Sequence, residues 1–323
     1  MKCSNLFRIY KRTYPFLFSV FSLAFGVTSA EPAESETSRP VHIASPAPGL
    51  SQRIVSLGAG VTESLFALGA GREIVAVDTS SEYPAETKLL PKVGYYRQLV
   101  PETILAHRPT RIVASDEAGP PSALAHLRAA GIDVFLLSTP KSARDALLRL
   151  LELGRALERE PEALALVATL EQRLDRVKQR RRERNFVQAP RVLCLLQPTA
   201  GLLFVSGRDT SCDSVIRLAG GQNVIELSGW KTVGAEHLVR QRPDILLMTT
   251  RTARLLGGEH KWRELPGLDF HARGQPPAVL VMDDGKLLTF GPRFIEAVEE
   301  LEAALTSCTP GDGCESARDP GTK

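Results

Sequence analysis

Glu102-Thr103-Ile104-Leu105-Ala106-His107-Arg108-Pro109 returns downstream as Glu236-His237-Leu238-Val239-Arg240-Gln241-Arg242-Pro243, aligned without a gap. Each copy opens with a glutamate, continues with aliphatic residues at helical spacing and stops at Arg-Pro. An apolar run suited to a buried strand follows: Arg111-Ile112-Val113-Ala114 in one case, Ile245-Leu246-Leu247-Met248 in the other. Copies about one domain apart predict two similarly built lobes. A cleft between lobes is a preferred place for a small molecule.

Around each copy, strand and helix signals alternate. Arg53-Ile54-Val55-Ser56-Leu57 reads as a strand ending in Gly58-Ala59-Gly60, with Thr62 as the cap of the next helix. Ile74-Val75-Ala76-Val77, residues 111–115 and Val134-Phe135-Leu136-Leu137 read as further strands, with a helix over 122–130. Residues 143–184 carry a helical apolar stripe with Pro161 as a break or new start, and end in a basic run, Lys178-Gln179-Arg180-Arg181-Arg182-Glu183-Arg184, suited to a helix C-terminus. The predicted fold class is α/β: two similar α/β lobes with mostly parallel sheets, joined by a long linker helix. The expected boundaries are an N-terminal lobe over 53–142, the linker over 143–184, a C-terminal lobe over 185–306 and a loose tail over 307–323.

The first 30 residues have the form of an export signal. A basic start (Lys2, Arg8, Lys11, Arg12) leads into an apolar run and then Thr28-Ser29-Ala30, so cleavage is expected near Ala30. The run is too short to cross a ~30 Å hydrocarbon layer. Residues 31–52 read as a flexible leader. A periplasmic protein follows from this reading. The formal net charge of +3 is too small to call for a nucleic-acid partner. Cys194, Cys212, Cys308 and Cys314 remain after cleavage, and an oxidising compartment allows disulfides. Nearness in sequence favours Cys194–Cys212 and Cys308–Cys314 among the three possible pairings.

Gly58-Ala59-Gly60 with Asp78 further on invites a dinucleotide site and hence an exported oxidoreductase. Glu63, however, stands where the third glycine belongs and would repel a pyrophosphate. No serine-hydrolase elbow or paired zinc histidines occur, so a non-enzymatic role is expected. Val93-Gly94-Tyr95-Tyr96-Arg97-Gln98-Leu99 is more telling. It places two phenols and a guanidinium in a loop before the first repeat helix. A phenolate is a hard ligand for ferric iron and an axial ligand of haem, and a nearby cation favours the ionised phenol. The residues alone fit equally well with an aromatic cluster packed between lobes.

With Gly94-Tyr95-Tyr96-Arg97-Gln98-Leu99, Leu288-Thr289-Phe290-Gly291-Pro292-Arg293, Leu218-Ala219-Gly220-Gly221-Gln222-Asn223 and the two Glu…Arg-Pro helices in view, residues 53–305 resemble the periplasmic haem-binding proteins of bacterial haem-uptake ABC transporters. These share a two-lobed class with cobalamin- and siderophore-binding proteins. The resemblance implies Tyr95 as axial ligand of a ferric haem, Arg97 as its partner, Tyr96 at a variable position able to substitute, and Arg293 toward a propionate. It implies apolar second-lobe contacts from Leu202, Leu203, Phe204 and Trp230. Glu102 and Glu236 are implied to dock into a two-fold membrane permease. Some relatives carry a histidine in the stretch that here reads Gln197-Pro198-Thr199-Ala200-Gly201, so one five-coordinate haem is expected. A monomeric carrier supplied by an outer-membrane haem receptor system follows, with a cobalamin or ferric-siderophore carrier as the alternative within the class.

Overall fold

The computed structural model describes residues 52–184, 188–199, 202–258, 261–265 and 277–307. The export segment, nearly all of the leader, Ala200, Gly201, and the tail with Cys308 and Cys314 lie outside the described residues.

The first lobe runs β1 (Ile54–Leu57), α1 (Ala59–Ala67), β2 (Ile74–Val77), α2 (Pro101–Leu105), β3 (Arg111–Ser115), α3 (Pro121–Ala129) and β4 (Asp133–Leu137). Its four strands pair in the order β2-β1-β3-β4, all parallel. The period-2 alternation of a strand sorts the side chains onto two faces. Ile54 and Val113 pack with Val61 and Leu65 of α1, while Val55, Leu57, Ile112 and Ala114 pack with Ile104 of α2 and Leu124 and Leu127 of α3. With both faces covered, β1 and β3 are buried along their whole length, which is why they are mostly apolar without alternation.

Two helices follow, α4 (Ala143–Ala156) and α5 (Glu160–Arg184). The second lobe holds β5 (Arg191–Thr199), β6 (Leu202–Ser206), α6 (Ser211–Ala219), β7 (Gln222–Asn223), β8 (Trp230–Gly234), α7 (Ala235–Gln241), β9 (Ile245–Thr249), α8 (Thr250–Leu256), β10 (Ala278–Met282), α9 (Asp284–Leu288) and α10 (Phe294–Ser307). Its sheet is mixed. β10, β9 and β5 are parallel, β6 and β8 extend the sheet in antiparallel steps, and β7 pairs with the start of β5. The same two-faced burial recurs: Val192, Cys194, Ile245 and Leu247 face one core, Leu193, Leu195, Leu246 and Met248 the other.

The sequence repeat extends into the backbone. Arg108 and Arg242 both take a left-handed conformation, at φ 48° and 43°. The proline that follows each disfavours continued helix. An arginine where the first strand of each lobe begins braces the corner. Arg53 donates from its side chain to the His107 and Arg108 carbonyls, and Arg191 donates to the Gln241 carbonyl. The Arg53 amide donates to Thr110 Oγ1 and the Arg191 amide to Asp244 Oδ2, again at matching positions. The corner before β3 is thus rebuilt before β9 with different side chains.

The linker is a helical pair whose members each serve both lobes. Ala146, Leu147 and Leu150 of α4, with Val167, Leu170, Leu174 and Val177 of α5, belong to a second-lobe core. Leu153 at the far end of α4, Leu157 beyond it and Ala163 at the start of α5 belong to a first-lobe core. The break falls between Ala156 and Glu160, and Pro161 sits in the first turn of α5, where a missing N–H costs nothing. The basic run at the end of α5 is used internally. Arg180 and Arg184 pair with the buried Glu302, and Arg181 donates to the Arg217 and Leu218 carbonyls.

Candidate ligand-binding site

The tyrosine loop lies at the carboxyl ends of β2 and β3, the edge where open α/β sheets take ligands. It is tied down on both sides. The Thr79 amide, just past β2, donates to the Gly94 carbonyl at 2.9 Å. The Leu99 amide donates to the Gly119 carbonyl at 2.7 Å, and the Gly119 amide to the Tyr96 carbonyl at 3.0 Å. Gly94 takes φ 95°, open to glycine without strain, and the Gln98 amide donates back to the Tyr95 carbonyl at 2.8 Å to close the turn. The loop is therefore a backbone-fixed platform bearing two exposed-to-half-buried rings.

Those rings differ. Tyr96 is half-buried and fully engaged: its hydroxyl donates to Glu117 Oε2 at 3.2 Å and accepts from Arg97 Nε at 3.0 Å. Burial pushes its phenol up to about 12, with Arg97 opposing and Glu117 adding to the rise. Tyr95 packs edge-on against Tyr96, with ring centroids 5.0 Å apart, and is 42% exposed. Among the described residues its hydroxyl has no hydrogen-bond partner. Arg97 completes the cluster by pairing with Glu117 at 2.6 Å. The guanidinium expected beside Tyr95 thus holds the Tyr96 hydroxyl and Glu117 instead. The motif alone did not reveal Glu117; its only signal is its place two residues past β3, at the same sheet edge.

Arg293 departs furthest from expectation. It is 9% exposed and belongs to the junction between lobes. Its Nε lies 3.0 Å from Glu63 Oε2, its amide donates to Glu63 Oε1 at 2.7 Å, and a terminal nitrogen donates to Asp283 Oδ1 at 3.0 Å. Its guanidinium carbon stands 3.5 Å from the centre of the Tyr83 ring. Two of its side-chain nitrogens are thus committed to carboxylates of the protein and its face to a ring, so Arg293 serves the lobe junction. Glu63 is 4% exposed, and burial raises its carboxyl above the ordinary range against the pull of Arg293. Arg149 of α4 is buried beside them and donates to the Phe290 carbonyl at 2.9 Å.

The glycines before α1 serve this junction too. A Cβ on Gly60 would lie 2.7 Å from the Thr289 carbonyl oxygen, so the lobes meet backbone to side-chain-free backbone. Gly58, at φ 112°, gives its amide to Asp78 Oδ1 at 2.9 Å. Asp78 also accepts from Ser80 and Ser81. The start of α1 and the acidic residue expected to read a ribose are both occupied by protein, so no dinucleotide fits there. Thr62 lies inside α1, its hydroxyl bonded to Ser56 and Ser81, and Gly58 is the capping residue.

In the second lobe the β6–β8 ladder presents Leu202, Phe204 and Trp230 at its surface, at 48, 36 and 37% exposure. The Phe204 and Trp230 rings are 6.2 Å apart and tilted by 32°, forming a small apolar plate. Leu203 points the other way into the core. Glu102 and Glu236 are exposed in the first turns of α2 and α7. The described residues contain no cluster of three or more His, Cys, Asp or Glu able to hold a metal ion, and no helix long and apolar enough to cross a membrane.

Solved structures with this fold include the periplasmic heme-binding protein RhuT from Roseiflexus sp. RS-1. It is 33% identical, with a TM-score of 0.74 over 79% of this chain and 98% of that one. The periplasmic heme-binding protein BhuT in complex with two hemes is 30% identical, again at 0.74, over 79% and 98%. The vitamin B12-binding protein of Pectobacterium carotovorum is 28% identical over 81% of this chain and 91% of its own length. The pattern of the periplasmic binding protein family matches residues 54–270, and the chain belongs to that family of substrate carriers, which are not enzymes.

Proposed function

We propose that the chain carries ferric haem, held through an axial Tyr95 phenolate, to an ABC importer in the inner membrane. That it is the substrate-binding protein of such an importer follows from its family and from relatives such as an ABC transporter substrate-binding lipoprotein of Bacillus subtilis, 26% identical over 79% of the chain. The finer reading rests on one observation: of two adjacent tyrosines, Tyr96 is consumed by Glu117 and Arg97 while Tyr95 offers an exposed, unpartnered hydroxyl. An iron already held by four macrocycle nitrogens needs one axial donor, which a phenolate supplies. A bare metal ion would need more donors than any described cluster provides.

In this reading the Phe204–Trp230 plate and Leu202 supply apolar contact for the porphyrin. Glu102 and Glu236 serve as acidic knobs for a two-fold permease, and the molecule acts as an exported monomer fed by an outer-membrane receptor system. The vitamin B12-binding relatives favour a second reading, a cobalamin carrier, in which Tyr95 would have no metal to ligate. Titrating the mature chain with haemin and with cyanocobalamin, for wild type and Tyr95→Phe, separates the two. The haem reading requires a phenolate–iron charge-transfer band lost in Tyr95→Phe, at one haem per chain. Tight cobalamin binding indifferent to Tyr95 would replace it.

A further inference from the structure

We propose that Cys194 and Cys212 are joined by a disulfide in the exported protein, tying β5 to α6. Cys194 lies within β5 and Cys212 in the first turn of α6, both with no exposed surface and both in the same second-lobe core. In this structure they are thiols with sulfurs 2.8 Å apart. That is closer than the ~3.5–4.0 Å at which non-bonded heavy atoms rest. A small shift brings the sulfurs to the ~2.05 Å of a covalent bond. The chain between them contains the end of β5, the whole of β6 with Leu202 and Phe204, and the turn leading into α6. Cross-linking its two ends restrains the strand that carries the plate.

The chemistry balances by thiol–disulfide exchange with a disulfide-bearing oxidant of the extracytoplasmic compartment. One cysteine thiolate attacks the oxidant's disulfide and expels one of its thiolates, giving a mixed disulfide. The second cysteine thiolate attacks the protein sulfur of that mixed disulfide and expels the other. Two protons and two electrons leave the protein, and the oxidant ends as a dithiol. Complete burial raises the Cys194 thiol well above its ordinary value, so that thiol scarcely ionises once folded. The bond therefore forms while the lobe is still open. Once enclosed, it is shielded from soluble reductants.

The test uses the full chain recovered from the compartment to which an expressing bacterium exports it. The protein is unfolded in denaturant with an alkylating reagent and no reductant, then digested and mapped. The expected result is one linked Cys194–Cys212 peptide pair, replaced by two alkylated peptides only when reductant precedes alkylation. Alkylation of either cysteine without reduction, or its linkage to Cys308 or Cys314, overturns the proposal. A second measurement needs no variant. Protein refolded with oxidised glutathione is expected to melt about 10 °C above protein refolded in dithiothreitol, and equal melting temperatures count against the cross-link. Neither readout depends on the ligand, so both stand or fall apart from the haem assignment.

Discussion

The tyrosine loop and the lobe junction each pair an arginine with a glutamate beside a tyrosine, with opposite outcomes. In the loop, Arg97 and Glu117 are 49 and 41% exposed at the side chain and hold Tyr96 so that Tyr95 is left over. At the junction, Arg293 and Glu63 are almost wholly buried, and Tyr83 covers the guanidinium. The same residue types leave a phenol open where solvent reaches them and build a fastener where it does not. An exposed pair is worth little energetically but can orient a neighbour. A buried pair is costly to assemble and costlier to break.

That contrast fixes what substitutions should do. Arg293→Ala leaves Glu63 buried without its partner and is expected to cost about 3–5 kcal/mol of stability. Denaturant unfolding measures this, and the folded fraction should still bind haemin. A stable Arg293→Ala protein that has lost haemin binding would move Arg293 back among the ligand contacts. Tyr95→Phe should do the reverse, weakening haemin binding by on the order of 100-fold, about 2.7 kcal/mol, with the melting temperature unchanged. Glu117→Gln should change stability by no more than ~1 kcal/mol, while the freed Arg97 and Tyr96 shift the haemin charge-transfer band.

A further effect is an alkaline one. Tyr96 has a folded value pushed up to about 12 against 10 for the free phenol. Between those values the native state keeps a proton that the unfolded chain has lost. The contribution is therefore fully present below pH 10 and disappears as the pH climbs toward 12. Wild type should lose more stability than Tyr96→Phe across that window, as melting curves at the two ends would record.

The α/β layering was legible because apolar runs and turn residues follow local rules: β1 to β4, α3 and both repeat corners lie where those rules put them. The break between α4 and α5 was legible from Pro161. The tyrosine loop was legible as a motif, but its internal division of labour was not, since Glu117 comes from a neighbouring loop. The junction role of Arg293 was not legible, for a physical reason. A guanidinium near a ligand cleft and one at a lobe junction have the same sequence signature, and its partner Glu63 lies 230 positions away. Thr62 was taken for a helix cap because the preceding glycines look like loop, whereas the helix starts among them. Glu63, read as a charge that repels phosphate, pairs with Arg293 across the contact between lobes.

The helical pair α4–α5 lends apolar side chains to cores on both sides, so neither lobe owns all of its own interior. A gene fragment ending anywhere in that pair would strip leucines from the half it keeps as well as from the half it discards. Single-lobe fragments of this chain should therefore come out of expression as aggregates.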